Sequence, residues 1–390
     1  MKILHTVEFY EPSHGGMQEV VKQISERLIQ KGHSVTVATS THPARMFSTL
    51  NGVTIKEFDI SGNLVNGYRG DTSAYQQFLL NSDFDVIVNF AAQQWATDLM
   101  LPLLPRIKAK KVSVPTGFSG LQSPRYHRYF EDMKTWMQQY DVNVFHSTTY
   151  QDILFARENG IGNIAVIPNA SSREEFEEIH DIDIKKILSI PKNHFLVILV
   201  GSHDGRKGHA EAIEIFRRAQ IKNATLVITG SVFSQRCYWA CKCKEFLFRF
   251  NNGSKSLIVT SLPRPQIVEL YKAADLFMFP TTWECSPLVL FEAMAAKTPF
   301  LVTDAGNSPE IIEWTHGGLL LPTQKDKNGF SHPEIQSSAE LLQKVANDTN
   351  MRTEMQESGY RAWRDRFTWE NIAEQYEHLY LTLCGSLGIP

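Results

Sequence analysis

The chain reads as an α/β protein of two parallel-sheet domains, and three observations predict this. Short apolar runs with strand character alternate with amphipathic helical stretches throughout, which implies parallel strands joined by right-handed crossovers. At 390 residues the chain is longer than one ordinary core accommodates. Two strand-to-helix corners in its second half carry glycine, cations and carboxylates, and such corners are where an open α/β sheet places its ligand.

Six strands are expected in the first domain, at ILHTVEF, SVTVAT, FDVIVNFA, KKVSVPT, VNVFHS and IAVIPN between residues 3 and 169. Six more are expected in the second, at FLVILVGS, ATLVITG, LIVTS, LFMFPT, FLVTDA and GLLLP between 195 and 322. The charged stretch from Ser171 to Pro191 reads as the hinge. Domain boundaries at 1–175 and 190–366 follow, with a final helical segment over 367–385. Neither a short-period repeat nor a low-complexity region interrupts this order.

The loop Pro12-Ser13-His14-Gly15-Gly16 follows the first strand directly. Glycines there let backbone approach a ligand with no β-carbon in the way, and the plainer reading is a turn that only needs a positive φ. The dinucleotide fingerprint G-x-G-x-x-G is absent, which weakens a dehydrogenase reading.

In FLVILVGSHDGRKGHAEAIEIFRRA (195–219) a buried strand is followed by a turn from Gly201 to Gly208 and an amphipathic helix. Arg206 and Lys207 fall just before that helix, whose first N–H groups have no internal partner. Two cations and a helix start suit a diphosphate, arginine binding as a fork and lysine as a point charge. A solvated basic turn is the competing reading.

The second corner is PTTWECSPLVLFEAMAAKTPF. AADLFMFP (273–280) reads as a buried strand, and Pro287 suits the first position of a helix that starts at about Ser286. Glu284 then lies in the loop and Glu292 on the first turns of the helix. N–H groups at a helix start suit phosphate, and carboxylates beside them suit hydroxyls. Read alone, either glutamate is also a cap or a solvated loop charge.

Composition excludes some classes. A net charge of −3 argues against a nucleic-acid binder. No apolar run approaches the roughly 18 residues of a membrane span, and the opening strand leaves no expectation of a signal peptide. A cytoplasmic protein is expected. Five cysteines, an odd number, fit reduced thiols. Cys237, Cys241 and Cys243 cluster in QRCYWACKCKEF, but no fourth ligand lies at finger-like spacing, so no metal is expected. Cys285 is read as a packing residue, and Asp83-x-Asp85 as a loop charge and a strand start.

Taken together, these segments resemble the retaining glycosyltransferases of the GT-B fold, family 4, over nearly the whole chain. The opening MKILHTVEFYEPSHGGMQEVVKQISERLIQKGHSVTVAT is similar to that family's first strand, Gly-Gly loop and helix. AVIPNASSREEF, VGSHDGRKG, ECSPLVLFE, TDAGNSPEII and FTWENIAEQYEHLY match further family segments in order. The resemblance implies two Rossmann-like, doubly wound domains facing a cleft, with an N-terminal acceptor domain, a C-terminal donor domain and a last helix that crosses back.

It also implies residue roles. Gly15, Gly16, Arg206 and Lys207 would face the donor diphosphate, with backbone N–H groups of Ser286, Leu288 and Val289. Glu284 would contact hydroxyls of the transferred sugar and Glu292 those of the ribose. Ser202 stands where many members have an arginine, and Thr116 where many have a histidine. Acceptor contacts are expected from His14, Thr116 and Arg125. Base contacts are expected from backbone around Thr260 to Pro263, and sugar contacts near Asn307.

The catalytic expectation is electrostatic: Arg206, Lys207 and the helix start stabilise the leaving diphosphate without a metal or other cofactor. From Leu99 to Phe130 there are 32 residues without an acid, with Arg106, Lys108, Lys110, Lys111, Arg125 and Arg128 beside Tyr126, Tyr129, Phe130 and Trp136. An anionic membrane could be met by the surface 106–136, and a solvated basic face with aromatic packing is the alternative. The expected function is transfer of a hexose or N-acetylhexosamine from a nucleoside-diphosphate sugar, UDP ahead of GDP, to a glycan or lipid-linked acceptor. A nucleotide-sugar 2-epimerase and a non-catalytic glycan-binding protein of the same fold are the competing readings.

Overall fold

The computed structural model describes residues 1–178, 181–251 and 253–385. It divides into two compact units, Met1–Asn169 with Trp369–Pro390, and Ala170–Thr368.

The first unit contains β1 (Lys2–Thr6), β2 (Ser34–Ser40), β3 (Thr49–Leu50), β4 (Val53–Phe58), β5 (Ile60–Asn63), β6 (Gly67–Gly70), β7 (Val86–Phe90), β8 (Lys110–Val114), β9 (Val142–Phe145) and β10 (Ile164–Val166). Eight of them form one sheet in the order β10-β9-β8-β7-β1-β2-β4-β3, parallel except at the β3 edge. All five residues of β7 are buried, as the continuous apolar run of a doubly covered parallel strand requires. β4 is absent from the six strands expected here; polar Thr54, Lys56 and Glu57 dilute its apolar signal, yet it pairs with β2 in parallel. Asp83 and Asp85 tie the start of β7 to β1: Asp83 pairs with the Lys2 ammonium, and Asp85 accepts from the Lys2 N–H at 2.7 Å.

The helix Trp369–Leu383 completes this unit against the helix Gly16–Gln30. Ion pairs run between the two segments, Arg27 to Glu370 at 2.6 Å and Lys31 to Glu377 at 3.0 Å.

The second unit contains β11 (Phe195–Val200), β12 (Ala224–Thr229), β13 (Lys255–Thr260), β14 (Leu276–Phe279), β15 (Phe300–Val302) and β16 (Gly318–Leu320), plus the hairpin β17 (Thr323–Lys325) and β18 (Ser331–Pro333). The six form a parallel sheet in the order β13-β12-β11-β14-β15-β16. Strand order reverses between β11 and β14, which opens a crevice at their carboxyl ends. An equivalent reversal lies between β1 and β7 in the first unit.

The segment expected to be a hinge is part of the second unit instead. Ser171 donates to the Phe291 carbonyl at 2.9 Å, and Phe176 and Ile184 are buried in the second core. Its many acids suggest a linker, but two short helices, Arg173–Glu177 and Ile184–Ile187, turn Phe176 and Ile184 inward.

Candidate active site

The crevice between β11 and β14 is walled by two loops, Gly201–Gly208 after β11 and Pro280–Pro287 after β14. They are knitted together through backbone. The Arg206 carbonyl accepts from the Thr282 N–H at 2.8 Å and from both threonine hydroxyls, Thr281 and Thr282, at 3.1 Å. Gly208 precedes the helix His209–Arg218 at φ +70°, and a β-carbon there would stand 1.9 Å from the Pro280 carbonyl oxygen. Only glycine lets the loops meet this closely.

Lys207 and Glu284 project from these two loops and form an ion pair, Nζ to Oε1, at 2.6 Å. The Thr281 hydroxyl donates to the same oxygen at 3.2 Å. Both charged heads are mostly shielded, 22% and 13% exposed, so the pair sits in a medium where charge is felt more strongly than in water. The sequence reading gave these residues separate ligand roles and did not see that they neutralise each other. Arg206 is different: its side chain is 61% exposed and its guanidinium lies 3.9 Å from Asp204.

The helix after the second loop spans Leu288–Ala295, two residues later than expected. Pro287 precedes it with ψ 117°, extended rather than helical. Leu288 and Val289 are therefore its first two residues, with N–H groups that have no partner inside the helix. The Asn307 N–H donates to the Cys285 carbonyl at 2.8 Å, which packs the GNSPE turn against the ECSP loop.

Glu292 lies one turn into that helix and is paired with Arg264, which sequence reading missed. Arg264 Nη1 is 2.7 Å from Glu292, while its Nε and Nη2 reach both oxygens of Glu175 at 3.0 and 2.7 Å. Two carboxylates share one guanidinium, and together they raise its pKa further. The only hint in the sequence was a cation at the start of a helix, PRPQ, far from either acid.

In the first unit, Gly15 adopts φ 173°, an extended conformation open to any residue. The expected alternative, a turn demanding positive φ, does not apply. A β-carbon at Gly15 would meet only the mobile end of Gln18, 2.5 Å away. His14, Gly15 and Gly16 are all exposed.

Thr116 sits after β8 at φ +57°, followed by Gly117 and Phe118, also at positive φ. Backbone held this way is costly for a β-branched residue and needs support. Buried Asp152 supplies it, accepting from the Gly117 N–H at 2.8 Å, and burial lifts its carboxyl to about 6. A second buried acid, Asp98, accepts from the Tyr129 hydroxyl at 2.7 Å and is likewise pushed up to about 6 by burial.

Arg125 is exposed, as are Arg106, Lys108 and Arg128. Their aromatic neighbours are not: Tyr129 and Phe130 are buried in the core and Tyr126 and Trp136 are half-buried. The surface 106–136 therefore presents cations without the apolar side chains of an interfacial anchor. Exposed aromatics lie instead on the helix Gln235–Asn251, where Trp239, Phe246, Leu247 and Phe250 are each at least 59% exposed. Arg236, Lys244 and Arg249 are exposed beside them. No helix among the described residues is long and apolar enough to cross a membrane.

Known proteins share both the sequence pattern and the architecture. The family described as "Glycosyl transferases group 1" matches residues 181–362, and "Glycosyltransferase Family 4" matches residues 14–174. An uncharacterized glycosyltransferase of Methanocaldococcus jannaschii is 24% identical over the full length of both chains. The processive diacylglycerol alpha-glucosyltransferase of Acholeplasma laidlawii is 26% identical over 53% of this chain and 56% of its own length. Other curated relatives compared are matched over half of their length or less. Among solved structures, HepE of Anabaena in complex with UDP-glucose aligns with a TM-score of 0.74 at 16% identity, over 98% of this chain and all of that one. With its two parallel sheets and both family matches in place, the chain belongs to the group 1 and family 4 glycosyltransferases and has the GT-B fold.

Proposed function

We propose that this glycosyltransferase moves a hexose or N-acetylhexosamine from a UDP-sugar, ahead of a GDP-sugar, to a glycan or lipid-linked acceptor with retention of configuration. One observation carries the reading: the Lys207–Glu284 pair stands at the carboxyl ends of the two central strands, where a doubly wound sheet binds its ligand. A cation for phosphate and a carboxylate for sugar hydroxyls are thereby placed side by side. The HepE structure, in complex with UDP-glucose, supports a nucleotide-sugar donor in this fold.

Breaking the bond between anomeric carbon and phosphate places negative charge on the departing diphosphate. Lys207 has three N–H donors and can hold Glu284 and a phosphate oxygen together. Arg206, whose side chain faces solvent, adds the second cation, and the Leu288 and Val289 N–H groups add fixed dipoles. On this reading these groups carry the charge of the leaving group, and no metal is assigned to the diphosphate. The acceptor oxygen bonds to the anomeric carbon on the face the phosphate leaves, and its proton passes to a departing phosphate oxygen. Glu284 holds the sugar, and Glu292, steadied by Arg264, takes the ribose hydroxyls. Gly15 and Gly16 are further donor contacts, and His14, Thr116 and Arg125 are assigned to the acceptor.

The enzyme is placed on the cytoplasmic side of a membrane for the lipid-linked acceptor, docked through the exposed face of the helix Gln235–Asn251. Aromatic side chains interleaved with arginine and lysine suit an anionic interface. Flotation with anionic vesicles at low salt should recover the wild type but not Trp239→Ala/Phe246→Ala/Phe250→Ala. Flotation that instead depends on Arg106, Lys108 and Arg128 would move the surface to 106–136.

Thermal shifts with UDP, GDP and their sugars test the donor, since a ligand at 100 times its dissociation constant stabilises by about 2.7 kcal/mol. Sugar transfer measured with and without acceptor then tests the reaction. Turnover of the nucleotide-sugar to its epimer without acceptor would overturn it.

A further inference from the structure

At the reversal of strand order in the first unit, a half-buried carboxylate stands among the described residues without a partner. We propose that Glu8 accepts a hydrogen bond from a hydroxyl of the sugar acceptor, on a rim built by the residues that follow β1, β7 and β8. That this sugar is the acceptor rests on the glycosyl-transfer reading; that a sugar hydroxyl binds there does not.

Glu8 comes just after β1, and β1 and β7 are the parallel neighbours between which the strand order reverses. A doubly wound sheet offers its ligand crevice at such a place. The backbone of Glu8 is fixed on both sides: its N–H donates to Gln94 Oε1 at 2.7 Å, and its carbonyl accepts from the Thr39 hydroxyl and the Ser40 N–H, each at 3.0 Å. The side chain is half-buried, yet among the described residues no hydrogen bond and no cation meets its carboxylate. Burial holds the carboxyl above its usual range. A shielded charge without a partner costs stability, so packing gives no reason for a glutamate here. The charge it acts on is a second acid, Asp98, which it helps to push up. Such surroundings repel a phosphate and suit a group that donates, as a hydroxyl does.

The neighbouring backbone is unusual in the same place. Nine non-glycine residues among those described have positive φ, and four of them, Ala91, Gln93, Thr116 and Phe118, follow β7 and β8. Backbone of this kind persists only where its surroundings impose it, and it gathers at ligand sites. After β7, side chains impose it. Asn63 donates to the Gln93 carbonyl at 3.1 Å, and the Gln93 N–H donates to the Tyr129 hydroxyl at 3.0 Å. Gln94 joins this turn to Glu8, since the side chain whose oxygen takes the Glu8 N–H donates to the Ala91 carbonyl at 3.1 Å. One amide therefore sets the carboxylate and the strained turn relative to each other.

Saturation-transfer NMR of the intact protein with the methyl glycosides of glucose, galactose, mannose and N-acetylglucosamine reads the contact. At least one should bind the wild type. Glu8→Ala should raise its dissociation constant by about 10- to 100-fold, the range of one hydrogen bond to a charged group. Glu8→Gln, which keeps an acceptor oxygen without the charge, should raise it by less. Both variants should melt at or above the wild-type temperature, because each removes an unpaired charge. Binding of none of the four sugars to the wild type, an unchanged dissociation constant in Glu8→Ala, or a lower melting temperature in both variants would overturn the site. Should sugar bind through Glu8 while no UDP- or GDP-sugar is turned over, the transfer reading falls and the site stands.

Discussion

Lys207 and Glu284, 77 residues apart in the chain, are joined by a 2.6 Å ion pair across the crevice between β11 and β14. The cation proposed here for phosphate is held in place by the carboxylate proposed for sugar. Free of ligand, the pair keeps Lys207 oriented, and a donor then adds a second anion to an ammonium already in position.

This coupling separates the two residues by experiment. Lys207→Ala should lower kcat/KM by about 100- to 1000-fold, the loss typical of one contact to a developing anion. Glu284→Gln should abolish transfer to a similar degree while leaving the UDP dissociation constant within about twofold, because Lys207 stays free to bind phosphate. Isothermal titration with UDP and initial rates with the sugar donor give both readings.

Arg264 should matter to stability before it matters to chemistry. Arg264→Ala leaves Glu175 and Glu292 facing each other unpaired. Loss of a fully buried partner costs about 3 to 5 kcal/mol, but the Arg264 head is 40% exposed, so solvent screening brings the expectation to about 1 to 2 kcal/mol. Arg264→Lys should recover little of it, since an ammonium cannot reach both acids as a fork does. Denaturant midpoints measure the stability, and UDP affinity of the folded variants shows whether Glu292 still serves the nucleotide.

Gly208 and Gly15 should respond oppositely to alanine. At Gly208, positive φ and the Pro280 carbonyl leave no room, so Gly208→Ala should cost about 1 to 3 kcal/mol of stability and weaken donor binding. At Gly15 the backbone is extended and only the tip of Gln18 must move, so Gly15→Ala should leave the melting temperature nearly unchanged. Any rise in donor KM at Gly15 then reports a ligand contact and not a folding defect.

His5 should make the first unit sensitive to acid. It is fully buried, bonded to the Ser25 hydroxyl at 2.8 Å, and burial lowers its pKa from 6.5 to about 3. Below pH 6.5 the unfolded chain takes up a proton that the folded one refuses, so this contribution is present at neutral pH and is lost as pH falls. His5→Gln should be less stable than wild type at pH 7, and the gap should narrow by up to about 1.4 kcal/mol per pH unit below 6.5. Thermal melts between pH 5 and 7.5 check the sign; a constant gap would refute it.

Much of this was legible from residues in order. Buried parallel strands such as VIVNF and FLVILV announce themselves because both faces are covered and no alternation breaks the apolar run. β4 was lost because its outer residues are polar, and the Leu288 start was missed because a proline fits both the last extended and the first helical position. What could not be read was pairing. Whether Lys207 meets Glu284, or Arg264 meets Glu175 and Glu292, depends on which strands become neighbours, and it is the order β13-β12-β11-β14 that brings their loops together. For the same reason the order of residues left open whether the aromatics around Tyr129 meet an interface or pack inward, and it is packing that holds for Tyr129 and Phe130.

The helix Trp369–Leu383 belongs to the first unit although the whole second unit precedes it in the chain. Arg27 waits for Glu370, a separation of 343 residues. On the ribosome the first unit is therefore translated first yet completed last. The second unit, whose ends meet where the Ser171 N–H reaches the Phe367 carbonyl at 3.2 Å, is contiguous and can close as soon as it emerges. The nascent enzyme passes through a stage in which the second unit is whole while the face of the helix Gly16–Gln30 that carries Arg27 still lacks its cover, and that stage is where a chaperone has reason to bind.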